Sequence, residues 1–346
     1  MNFQPKPILI IGTQRSGSNL LRLMLNQCEE IEAPHPPHIL QIFQPLMQAY
    51  QQVFGKIFFT ELVRDICDYV NVNPVRWQNF NCVSAEVIQH CKTETVVAIF
   101  NAIYTLKAQQ KQAKYWCCKS MANLYFIPEI ERENLQPFYI HLIRDGRDVA
   151  ASFKNAIVGD KHVYFLAKQW QKEQQLAEEY GHEFAPERYV QIKYEDFIHN
   201  PQTTLEPVLN RLGIAWTQNI LEYFKGDEAK STAASGTMWS NVVNPVDRNN
   251  KNTFIKTLSE SEIQLYETIA AHTLIKFGYG VEPNVKKNIS ETEIEFFKLE
   301  NEIMKTNARN QHTTDVKSRS EQEKTLLNIR QKLSNGILSM EQTERL

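Results

Sequence analysis

Residues 7–11 (PILII) form an unbroken apolar run that stops at Gly12, and a polar loop follows at once. A short apolar run without polar alternation is apolar on both faces, as a central parallel strand must be. Beyond the loop, residues 19–27 (NLLRLMLNQ) place Leu20, Leu21, Leu23, Met24 and Leu25 on a helix with one polar side. The same order of strand, loop and helix recurs at residues 138–143, followed by the turn RDGRD and the segment VAASF. A third strand is expected at 189–192, followed by Tyr194-Glu195-Asp196 and a helix near 203–212. Strands that alternate with helices predict an α/β fold with a central, mostly parallel sheet covered by helices on both faces.

Between the first two units, residues 39–113 read as mainly helical, with few glycines. Residues 258–277 form another helical pattern, with Ser259 or Ser261 as cap and Gly278 and Gly280 beyond its end. The texture then changes, since residues 286–346 contain no Trp, Tyr or Pro. Two amphipathic stretches, about 291–305 and 321–338, flank the polar run 306–320. The expected division is a main domain over 1–285 and a C-terminal extension over 286–346, either a helical arm or a flexible tail. Such an arm offers a surface for homo-oligomerisation, although neither stretch sustains coiled-coil heptads.

Lys and Arg number 38 against 40 Asp and Glu, which excludes a chain built as a nucleic-acid polycation but leaves room for a local basic pocket. No apolar run approaches the ~20 residues that cross a bilayer, and the N-terminus lacks the pattern of a secretory signal. A cytoplasmic protein is therefore expected. The six cysteines show no CxxC spacing and read as reduced, buried small hydrophobes.

The first loop runs Gly12-Thr13-Gln14-Arg15-Ser16-Gly17-Ser18-Asn19. A strand that feeds such a loop into a helix presents unpaired N–H groups and the positive end of the helix dipole, an anion site. The glycine spacing is that of a Walker loop, but Ser18 and Asn19 stand where the lysine and the magnesium ligand would be. Arg15 puts a cation inside the loop instead. At the second turn, the strand 138–143 delivers Arg144, and Ser152 sits eight residues later in the following helix. Ligands of open α/β sheets bind at the carboxyl ends of strands, and a planar guanidinium suits a phosphate. Asp148 reads as a helix cap and Arg147 as a surface charge paired with an aspartate. Two such turns in one sheet imply a ligand with two separated anionic groups.

The chain resembles the sulfotransferases that use 3′-phosphoadenosine-5′-phosphosulfate (PAPS). QRSGSNLLRLML is similar to their 5′-phosphosulfate loop, in the style of the tyrosylprotein and carbohydrate branch. IRDGRDVAAS is similar to the 3′-phosphate motif, with Arg144 and Ser152 on its phosphate-contacting positions, and YEDFIHNPQTTLEPVLNRLGI to a third block. The three keep the family order across about residues 7–280. The resemblance implies a P-loop-type three-layer fold and a donor site formed by Thr13, Gln14, Arg15, Ser16, Gly17, Ser18 and Asn19 with Arg144 and Ser152. Tyr194 and Trp239 are candidates to stack on adenine, beside a plain packing role. The stretch from Asp247 to Asn252 loosely resembles the segment that closes over the 3′-phosphate. No metal is implied, because Arg, Lys and N–H groups can hold the donor.

Sulfuryl transfer is an in-line displacement that needs positioning, charge stabilisation and a base for the acceptor proton. Lys119, in WCCKSMANLYFIP, resembles the family lysine that neutralises the oxygen between sulfur and the departing phosphate. The cytosolic branch has a histidine two residues later, where this chain has Met121. The resemblance to the other branch places the base shortly after the first helix, in EAPHPPHIL. His35 and His38 flank two stiffening prolines and rank in that order, with Glu32 third. The acceptor is a molecule bearing a hydroxyl or an amine, shaped by 39–113 and by loops near 155–165 and 231–252. Apolar and aromatic residues in 39–80 favour an apolar or extended acceptor. Two other readings are a non-catalytic binding module of the same fold and a kinase, which would need the missing lysine and magnesium ligand.

Overall fold

A computed structural model describes residues 4–282 and 288–343. Its centre is a five-stranded, all-parallel sheet in the order β2-β3-β1-β4-β5. The strands are β1 (Lys6–Gly12), β2 (Ile31–Glu32), β3 (Tyr115–Cys118), β4 (Phe138–Ile143) and β5 (Tyr189–Lys193). The apolar run of β1 is explained by its position, because alternate side chains enter different cores. Ile8 and Ile10 pack with Leu21, Leu25, Phe197 and Leu209 on one face, while Leu9 and Ile11 pack with Ile99, Ile103 and Trp116 on the other. Helices Ser18–Leu25 and Pro201–Arg211 cover the first face, and Val96–Lys111 covers the second. Three layers result, as the sequence predicts.

The insert between β2 and β3 is helical, built from Ile39–Phe43, Met47–Phe54, Phe58–Asn71, Ser84–His90 and Val96–Lys111. A capping box of Ser259 and Glu262 starts the helix Glu260–Lys276, which packs Tyr266, Ala270 and Leu274 against Leu166, Ala167 and Trp170 of helix Val163–Glu183. Five of the cysteines are buried, and Cys91 is half-buried.

The expected boundary at 285/286 lies outside the described residues. Beyond it, Ser290 caps the helix Glu291–Gln311, and a second helix, Thr313–Thr343, follows almost directly. The polar run 306–320, expected as a spacer, is therefore helical except at a break around His312. It contains neither glycine nor proline, so nothing in its backbone chemistry opposes the helix. The second helix lies against the main body. Ile329 and Leu333 enter the core beside the insert, and Lys332 pairs with Asp65 and, at 3.7 Å, with Glu61.

The chain leaves β1 toward the β2–β3 side and leaves β4 toward β5, so the carboxyl ends of β1 and β4 flank the point where the strand order reverses. Open parallel sheets form their ligand crevice there.

Candidate active site

The loop after β1 turns on two glycines. Gly12 has φ +125°, and a Cβ there would lie 2.5 Å from the carbonyl oxygen of Leu142 on β4. Gly17 has φ +88°, and a Cβ there would overlap the Tyr194 ring. The helix Ser18–Leu25 has no side-chain cap and no acidic residue in its first turn. Its leading N–H groups and dipole are thus left for an outside anion. Asn19, which lines the cleft, adds a further donor, since its Nδ2 has no hydrogen-bond partner among the described residues. Asn19 is oriented by Arg22, whose Nε donates to Asn19 Oδ1 at 2.9 Å.

The turn after β4 meets this loop directly. Arg144 Nη1 donates to the Arg15 carbonyl at 3.1 Å, and Arg15 Nε donates to Ser152 Oγ at 3.0 Å. Arg144 lies 4.3 Å from the Tyr194 ring centroid, and its Nη2 donates to the Asn250 carbonyl and Oδ1 at 3.2 and 3.3 Å. Its buried Nε has no partner. Asp148 is not the helix cap. Asp145 takes that role by accepting from Arg147 N at 2.9 Å. Asp148 instead accepts from Asn252 N, Thr253 Oγ1 and Phe254 N at 2.8–3.0 Å, which draws the stretch 247–252 over the second turn. Arg147 is buried rather than a surface charge, paired with Asp145 at 2.7 Å and Glu267 at 2.5 Å.

Both turns open on a cleft of about 940 Å³, lined by Gln14, Arg15, Gly17, Ser18, Asn19, Arg144, Ser152 and Tyr194 among others. Lys119, one residue past β3, and His38 share the same wall. Lys119 makes no ion pair within 4.0 Å among the described residues. Burial, then the charges of Arg22 and Arg15, bring its pKa down to about 7. His38 Nδ1 is 2.8 Å from Ser120 Oγ, and burial with the fields of Lys119 and Arg319 lowers its pKa to about 3. Arg15 is lowered to about 10 by burial and by Arg144.

Four expected residues fall elsewhere. Thr13 is buried and accepts from Gln174 Nε2 at 3.0 Å, and Ser16 is buried and does not line the cleft. His35 is buried behind the wall, edge-on to Trp239 at 4.7 Å, and neither ring nitrogen has a partner. Glu32 sits at the sheet edge near Lys107 and Lys111, at 3.5 and 3.8 Å. Of the two histidines, His38 rather than His35 lines the cleft. Sequence reasoning also missed Arg319 and Gln322, which line the cleft from helix Thr313–Thr343. They lie in or beside the polar run and carry no motif.

Comparison with known proteins agrees with this architecture. Among solved structures, the chain is similar to the sulfotransferase domain of the Synechococcus PCC 7002 olefin synthase, with a TM-score of 0.54 and 22% identity over 81% of this chain and 97% of that one. It also matches the sulfotransferase domain from the curacin biosynthetic pathway, with a TM-score of 0.49 and 18% identity over 80% and 99%. No curated protein matches it. The profile of the sulfotransferase family matches residues 7–218, a stretch that contains all five strands and both anion turns. That stretch is more than half of the chain, which therefore belongs to the sulfotransferase family and transfers sulfonate.

Proposed function

We propose that this sulfotransferase takes its sulfuryl group from PAPS and passes it to a hydroxyl or amine by in-line displacement, with His38 as the base. The observation that carries this reading is the set of unmatched donors at two adjoining turns: Asn19 Nδ2, Arg144 Nε and the uncapped start of helix Ser18–Leu25. A ligand with two separated anionic groups fits that set, and PAPS has them. When bound, PAPS supplies a sulfuryl group already activated by an anionic leaving group.

Gln14, Arg15, Gly17, Ser18 and Asn19 would hold the 5′ end, and Arg144 with Ser152 the 3′-phosphate. Tyr194 supports Arg144 through its ring, and Asn250 Nδ2 steadies the Tyr194 hydroxyl at 3.0 Å. Lys119 supplies the cation for the departing phosphate oxygen. His38 stays neutral across the working pH range, so its lone pair is available. When Ser120 Oγ accepts from Nδ1, Nε2 is left as the basic nitrogen. Lys119, the larger of the two charges that weaken this base after burial itself, is offset once donor anions enter, so binding the donor raises its basicity.

The test is calorimetric titration with adenosine 3′,5′-bisphosphate in EDTA, with ATP and magnesium as the comparison. Micromolar binding of the bisphosphate and none of ATP is expected. Binding of ATP alone, or of neither, would overturn the donor assignment.

A further inference from the structure

Arg319 stands in the cleft with no partner matched to its charge. It belongs to helix Thr313–Thr343, outside the stretch 7–218 that matches the family, and lines the cleft beside Gln322. Its guanidinium carbon lies 5.3 Å from the Trp239 ring centroid, and Nη2 reaches Met238 Sδ at 3.6 Å. Thioether sulfur is a weak acceptor, and a guanidinium has five N–H donors. Among the described residues no carboxylate lies within 4.0 Å of it. Asp315, one turn earlier, is engaged by the Thr237 backbone N–H and hydroxyl, and Glu323, one turn later, is exposed.

The position is distinct from the two phosphate turns. The field of Arg319 reaches His38, where those of Arg15 and Arg144 do not, while Arg15 and Arg319 both act on Lys119. Arg319 thus sits on the side of the proposed base, where the cleft wall includes Ile42, Tyr69, Met238 and Trp239. Its helix is fixed by Lys332 with Asp65, by Ile329 and Leu333 in the core, and by Gln322 Nε2 donating to the Tyr69 carbonyl at 3.4 Å. A guanidinium held in this way is pre-organised, and little ordering entropy remains to be lost on binding.

We propose that Arg319, with Gln322 beside it, binds a carboxylate on the acceptor, so that the acceptor is a hydroxyl- or amine-bearing acid with an apolar body. A single forked cation in an apolar surround suits a monoanion that can accept two parallel N–H bonds. This inference names the acceptor class for the sulfuryl-transfer reading and rests on it.

With the donor site saturated by adenosine 3′,5′-bisphosphate, 4-phenylbutanoate and 4-phenylbutanamide are titrated calorimetrically into the wild type, Arg319→Gln and Arg319→Lys. The acid should bind about ten- to a hundredfold more tightly than the amide, as a charge-assisted pair warrants. Arg319→Gln should erase that preference and Arg319→Lys should keep part of it. Equal affinity for acid and amide, no binding of either, or a preference that survives Arg319→Gln would overturn the proposal. Bisphosphate affinity in Arg319→Gln, expected to fall no more than about threefold below wild type because Arg319 contacts neither phosphate turn and its loss favours the charged form of Lys119, verifies that the cleft is formed. A wild type that fails to bind the bisphosphate refutes the donor reading instead. The acid–amide comparison on the unliganded protein then still decides Arg319.

Discussion

With Lys119 placed against the donor as proposed, donor binding should be a proton-linked event. The Lys119 ammonium is desolvated, faces Arg22 and Arg15, and falls from an ordinary 10.5 to about 7. At pH 8 the unliganded protein therefore carries Lys119 about nine-tenths neutral. Anions arriving beside it restore the charged form, so each bisphosphate bound should take up about 0.9 proton at pH 8 and about 0.5 at pH 7. Above pH 7 the affinity should fall by up to about tenfold, or about 1.4 kcal/mol, per pH unit until the pKa of the complex is reached. The loss lies on the alkaline side because the ammonium is the form the anions hold. In the unliganded protein the same displacement acts on folding with the opposite slope. The unfolded chain keeps its proton up to 10.5, so this group's penalty is full below pH 7 and is relieved as pH rises from 7 toward 10.5.

Calorimetry at pH 8 in two buffers of different ionisation enthalpy counts the protons. Arg15 at about 10 and His38 at about 3 do not titrate there. Lys161, at about 8, is engaged by the carbonyls of Val158 and Gly159, and Lys119→Met separates its contribution. Uptake near zero in the wild type, or equal uptake in Lys119→Met, would refute the placement of this lysine against the donor.

The other predictions concern single contacts. Arg15→Ala and Arg144→Ala should each weaken bisphosphate binding by about 1.5–3 kcal/mol, and normal affinity in both would remove the two turns from the donor site. Arg144→Lys should recover little, because one fork serves both the Arg15 carbonyl and Asn250, which a point charge cannot do. His38→Ala should abolish most turnover with bisphosphate affinity intact, whereas loss on His35→Ala with His38→Ala active would return the base to His35. Gly17→Ala meets a left-handed φ costing about 1–2 kcal/mol and displaces Tyr194. Both the melting temperature and bisphosphate affinity should drop, and an unchanged affinity would take Tyr194 out of the site.

Local chemistry made the strands and turns legible. The apolar runs of β1 and β4 have both faces covered, and Gly12 and Gly17 occupy conformations that side chains resist, so each leaves a trace in its own neighbourhood. β2 left none, because two residues held by β3 carry no periodicity. Asp148 was misread for a similar reason. Its carboxylate is a short distance from a helix start in sequence, but its partners lie 104 to 106 residues away, and Asp145 had already satisfied the cap. The histidines flank the same prolines and are equivalent in sequence. What separates them is that His35 packs under Trp239, whereas His38 lies beside Ser120. Arg319 belongs to a polar run whose composition suggests solvent, and only the docking of Ile329 and Leu333 two to four turns later brings it to the cleft.

The distribution of counter-charge separates the cations that build the fold from those that face a ligand. Arg22 is fully buried and has Glu228 at 2.7 Å, while Arg147 has Asp145 and Glu267. Both bridge elements distant in sequence, and each carries its own neutralisation. Arg15, Lys119 and Arg319 have no carboxylate within 4.0 Å among the described residues. For Arg144 the nearest is Asp148 at 3.8 Å, which is already engaged by residues 252–254. A fold that supplies carboxylates to its structural arginines has no physical barrier to supplying them here, so their absence has a chemical meaning. The uncompensated charges repel one another, and the depressed pKa values of Arg15 and Lys119 register that repulsion together with burial. Anions bound in the cleft would relieve it. Arg15 and Arg144 meet at adjoining strand ends, Lys119 follows β3, and Arg319 stands against Trp239 and Met238. That spacing matches a donor with anions at one end of the cleft and an acidic acceptor at the other, with the reacting atoms between.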